Sequence, residues 1–146
     1  MLNRILAFFE NTMEETESLT VDDAAAVLLI EVMLADYDVD QRERDCVSKI
    51  IVRRMNISLD AAAQCIESAL KRQKESHDLF QFTHIINEHY GEQERYSLIV
   101  DLWRVAFADG KLDKYEDHRI RRVSDMLHLH HSHFIQAKAE AQVSQD

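Results

Sequence analysis

Proline is absent from this chain and glycine occurs only at Gly91 and Gly110, so it carries almost none of the punctuation that hairpins and tight turns require. That scarcity argues against a strand-rich fold and predicts an all-α one. Cysteine is nearly as scarce. Cys46 and Cys65 cannot staple a framework, and two thiols suit a reducing cytoplasm. Both fall in or beside apolar helical stripes and read as small core hydrophobes.

Long hydrophobic runs are missing as well. The longest, Ala24 to Ile30, is interrupted by Glu31 and falls far short of the roughly 20 residues that cross a bilayer, so no direct membrane insertion is expected. The first apolar stretch is followed by acids rather than by a small-residue cleavage site, so no secretory signal is expected and a cytoplasmic location is. Positive charge is in deficit. A net charge of −10, with the basic residues scattered among acids, would repel a phosphate backbone and argues against nucleic acid as a partner. A Gly-rich phosphate loop, a Gly-x-Ser-x-Gly elbow, a His-Glu-x-x-His pair and a thiol with an obvious base are all lacking, so the chain does not read as an enzyme.

What is present is helical periodicity over a length of 146 residues that suits one domain with one core, spanning 1–146. Leu2, Ile5, Leu6, Phe9 and Met13 predict an amphipathic helix over about 2–16, whose neighbouring acids disfavour a lipid surface. Thr20, followed by Asp22 and Asp23, predicts the cap of a central helix running to Ala35. Further helices are expected from Asp40, from Ser58, from Ser76 and Asp78 up to a stop at Gly91, from about Glu92 to Ala108, from Asp113, and from Ser132 until a tail frays near Val143. The total is seven to eight helices in a compact bundle.

Two junctions between helices echo one another. Ala35-Asp36-Tyr37-Asp38-Val39-Asp40-Gln41-Arg42-Glu43 and Ala108-Asp109-Gly110-Lys111-Leu112-Asp113-Lys114-Tyr115-Glu116 share an Ala-Asp, then an apolar residue, then Asp-x-x-Glu. The offset is constant at 73 residues, from Asp36 to Asp109, from Asp40 to Asp113 and from Glu43 to Glu116. A duplicated unit with an internal pseudo-twofold is therefore expected, with repeat units at about 20–56 and 93–130. At the same offset Glu31 matches Arg104, which predicts that these two pair across the axis.

The junction acids admit two readings. Each Asp-x-x-Glu has the form of a capping box, in which Asp accepts an exposed amide and Glu reaches back. Asp36 and Asp109 instead fall at helix C-termini, where the dipole disfavours a carboxylate. An Asx-type turn would offset that cost, and Asp109-Gly110 suits one; so would a hard divalent cation such as calcium or magnesium. Neither junction has EF-hand spacing, because each Glu follows the first Asp by only seven positions. His128, His130, His131 and His133 have no acidic or thiol partner at ligand spacing, and read as exposed linker histidines. His84 with Glu88, and His118, read as surface groups.

With these residues in view, the chain closely resembles the TerB-like family of bacterial tellurite-resistance proteins. The resemblance is carried above all by Ala106-Phe107-Ala108-Asp109-Gly110-Lys111-Leu112-Asp113-Lys114-Tyr115-Glu116 and extends from about Ala24 to Ala139. It implies a compact helical bundle with internal duplication, an acidic divalent-cation surface, a link to chemical-stress responses, and membrane-associated protein partners rather than catalysis. The implied metal residues are Asp36, Asp40, Glu43, Asp109, Asp113 and Glu116. One departure is Tyr37, which stands where the second junction has Gly110. A metal-free acidic interaction module and a two-metal hydrolase are the alternatives.

Overall fold

Ten consecutive residues, Ala24 to Met33, are buried, as expected of a helix that is apolar on nearly every side. This helix, α1 (Val21–Met33), starts at a full capping box in which Thr20 and Asp23 satisfy each other's amides at 3.0 and 3.1 Å. The computed structural model describes residues 19–35, 39–76 and 78–143, and these form seven α-helices without a strand. The helix expected over 2–16, Asp36, Tyr37, Asp38 and the tail from residue 144 lie outside the described residues.

After α1 come α2 (Gln41–Met55), α3 (Leu59–Glu75), α4 (Phe80–His89), α5 (Glu92–Phe107), α6 (Lys114–Met126) and α7 (His131–Val143). Helices α1 and α5 pack against each other at the centre, and the others contribute one apolar face each to a single continuous core. Trp103 on α5 is fully buried, its ring 5.3 Å from Phe134 on α7 and 5.8 Å from Phe107. The bundle is therefore built as two broadly apolar helices wrapped by amphipathic ones.

The 73-residue offset extends to the helix starts: α2 begins at Gln41 after Asp40, and α6 begins at Lys114 after Asp113. Elsewhere three local expectations change. Gly91 does not stop α4; at φ −76° it is the N-cap of α5, and its amide meets Glu94 Oε1 at 3.3 Å. The N-cap of α4 is Leu79, with Asp78 Oδ1 accepting the Phe80 amide and the Ser76 hydroxyl donating to the Asp78 carbonyl. Ser132 does not cap α7: it lies inside the helix, and its amide donates to His130 Nδ1 at 3.3 Å.

The expected Glu31–Arg104 pair is absent. Glu31 on α1 is bonded by Arg119 of α6 and by Gln73 of α3, whereas Arg104 turns to Asp101 on its own helix. Equivalent positions in a sequence alignment need not face each other, and here the guanidinium three residues from Asp101 lies on the same helix face.

Candidate functional site

The second junction is closed by local chemistry. α5 ends at Phe107, Gly110 takes φ +80°, and its amide donates to the Phe107 carbonyl at 2.9 Å. A left-handed residue is what a helix exit of this kind needs, and glycine adopts it without strain. Asp109 Oδ1 accepts the Lys111 amide at 2.9 Å, the Asx turn expected from its neighbour. Asp113 is the N-cap of α6, accepting the Tyr115 amide at 2.6 Å.

The capping-box form is incomplete at this junction. Glu116 is fully buried, and neither of its side-chain oxygens has a hydrogen-bond partner among the described residues. Burial first, then the negative charges of Glu43 and Asp109, push its carboxyl up to about 8, while the nearby Asp113 amide pulls the other way without reaching bonding geometry. A buried carboxylate in such a place is costly, so at neutral pH the group holds its proton unless a positive charge takes the proton's place.

The first junction differs in detail. Asp40 caps α2 by accepting the Arg42 amide at 2.8 Å, and Arg42 also grips it with Nε at 3.1 Å and Nη2 at 2.9 Å. Those bonds hold the Asp40 carboxyl at about 2. The bond to Asp40 raises the Arg42 guanidinium most, Asp109 and Glu43 add to it, and Glu43 acts on Glu116, so the two junctions share one electrostatic neighbourhood. Glu43 is as fully buried as Glu116.

Of the six residues singled out from the sequence, Glu43, Asp109 and Asp113 lie within electrostatic reach of Glu116, while Asp40 is committed to Arg42 and Asp36 lies outside the described residues. Among the described residues no group of three or more His, Cys, Asp or Glu side chains is gathered closely enough to hold a metal ion. Among the histidines, His84 bonds Glu88 at 3.0 Å on the surface, His128 sits in a left-handed turn, and His133 lies on α7 at 3.3 Å from Glu92, its ring edge-on to that of His130 at 6.3 Å.

Another buried carboxylate, on α5, was not legible in the sequence. Asp101 on α5 receives Arg53 Nη2 at 2.6 Å, Arg54 Nε at 2.7 Å and Arg104 Nη1 at 2.8 Å. An acid in the middle of an apolar helix, with an Arg-Arg doublet elsewhere in the chain, was the available signal.

A family model described as tellurite resistance protein TerB matches residues 22–139, which takes in the helix starts from α2 to α7 and all of α1 but its first residue, Val21. The chain belongs to the TerB family. Its helical bundle is thus that of a tellurite-resistance-associated domain. No curated protein and no solved structure gave a significant match. In this TerB chain no described helix is long and apolar enough to cross a membrane.

Proposed function

We propose that this TerB domain is a non-enzymatic, cation-responsive adaptor, in which a calcium or magnesium ion takes the place of a proton at the paired junctions. Glu116 carries the reading. A fully buried carboxyl with no bonding partner among the described residues, next to further acids, is an oxygen donor without an assignment in the fold. Glu43, Asp109 and Asp113 are the other donors and Asp36 is a further one expected from the sequence, whereas Asp40, the sixth of that set, is held by Arg42. Hard divalent ions select oxygen ligands, and calcium takes six to eight of them at about 2.3–2.6 Å, so some rearrangement of the junctions accompanies binding. That rearrangement is the response: loading ties the exits of two helices to the entries of two others and presents one surface to a protein partner in a chemical-stress pathway, membrane-associated or otherwise.

The test is calcium or magnesium titration followed by thermal melting and by proton release at constant pH. An ion at 100 times its dissociation constant adds about 2.7 kcal/mol of stability. Because Glu116 is protonated at neutral pH in the ion-free protein, loading also releases about one proton. Glu116→Gln removes both signals. A metal-free acidic interaction module is the second reading, favoured by the lack of a tight ligand group among the described residues. It becomes the function if millimolar ion shifts neither melting nor pH.

A further inference from the structure

Asp40 spends both of its carboxylate oxygens on one neighbour. Oδ1 accepts the Arg42 amide at 2.8 Å and Arg42 Nε at 3.1 Å, while Oδ2 accepts Arg42 Nη2 at 2.9 Å, so the guanidinium meets the carboxylate as a fork. The amide bond is the helix cap, and most residues at position 42 would keep it. The fork needs an arginine.

A cation is out of place here. Residue 42 lies in the first turn of α2, where the helix dipole already supplies positive charge and favours anions. The corresponding residue of the other junction, 73 positions on, is the uncharged Tyr115. There Asp113 accepts the Tyr115 amide at 2.6 Å, and the first-turn cation, Lys114, lies over the Tyr115 ring at 5.2 Å. Of the two Asp caps, only Asp40 is in an ion pair among the described residues. Asp109 and Glu43 also act on the Arg42 guanidinium, so the carboxylate it covers stands beside the acids that surround Glu116. The pair is open to water, with the Arg42 side chain 64% exposed, and an exposed pair of this kind is weak enough to part reversibly.

We infer, on the cation reading proposed above, that Arg42 is a built-in competitor for the ion, which withholds Asp40 from the ligand set and thereby sets the affinity of the paired junctions. Arg42 is a positioning residue in this scheme, acting through Asp40. Without its guanidinium, Asp40 keeps Oδ1 on the amide of residue 42 and turns Oδ2 into a free oxygen donor next to Glu43 and Asp109. An added acidic ligand is what raises the affinity of a site for a hard divalent ion.

Calcium titration of the full chain by isothermal calorimetry tests this with wild type, Arg42→Ala, Arg42→Ala with Asp40→Asn, and Glu116→Gln. Melting in EDTA checks that each variant folds. Arg42→Ala tightens calcium binding by about tenfold, and the double variant returns to near the wild-type affinity, because the gain comes through Asp40. The carboxyl carbon signal of Asp40 moves on calcium addition in Arg42→Ala and stays in place in the wild type. The role of Arg42 is overturned if Arg42→Ala leaves the affinity unchanged, if the gain survives in the double variant, or if the Asp40 signal moves in the wild type as well. Any of these beside wild-type binding that Glu116→Gln abolishes sinks Arg42 alone. No calcium binding by any of the four proteins at millimolar ion sinks the cation reading itself.

Discussion

Asp101 and Glu116 are both carboxylates with no exposed surface, yet their surroundings are opposite. Asp101 is gripped by three guanidiniums from two helices; Glu116 is buried beside Glu43 and Asp109, with the Asp113 amide nearby and no bonding partner among the described residues. The difference teaches how to tell a structural charge from a poised one. A buried acid whose lone pairs are all met by fixed cations joins α2 to α5 and is complete. One left without a partner raises the free energy of the fold, and a proton or a cation relieves it.

Removing the completed carboxylate has the largest expected effect. Asp101→Ala leaves three arginines facing each other at the α2–α5 seam and is expected to cost about 3 kcal/mol in urea unfolding. That figure is the low end for a buried pair, because Arg53 is half-exposed and water screens part of the repulsion. A loss below about 1 kcal/mol would erase the contrast between the two acids.

Glu116→Gln acts in the other direction. Its folded pKa lies above the ordinary 4.5, so the folded protein keeps this proton after the unfolded chain has lost it. Stability of the ion-free protein therefore declines as pH rises from about 4.5 to about 8 and is level for this group on either side. The neutral amide removes that slope and raises stability by about 1–3 kcal/mol at alkaline pH, measured by urea unfolding across the window. An unchanged pH profile would place Glu116 with Asp101 as a satisfied group.

The smallest effect sharpens the comparison between the two junctions themselves. Asp113→Ala and Asp40→Ala each remove an N-cap worth about 1 kcal/mol. Only the first is expected to weaken calcium binding, because Asp40 is already held by Arg42. Melting with and without calcium separates the two losses.

The caps show how much was legible without coordinates. Thr20, Asp40, Ser58 and Asp113 all accept amides two or three residues ahead, as their local sequences require. The Asp109-Gly110 turn was equally local. Gly91 was misread because an extended glycine before a Glu three residues on serves an N-terminus as readily as a C-terminus. The pairing of Glu31 with Arg119, 88 residues away, could not be read from a repeat register. Nor could the convergence of three arginines on Asp101.

Periodicity, the absence of proline and the spacing of caps fixed the all-α class and the starts of α1, α2, α3 and α6, because each depends on residues within one turn of chain. The family was legible from the Ala-Asp-Gly junction for the same reason. Which charges meet across the bundle was decided only by tertiary packing. Burial is a property of neighbours brought from distant positions, and burial is what makes Glu116 a proton holder and Asp101 a clamp.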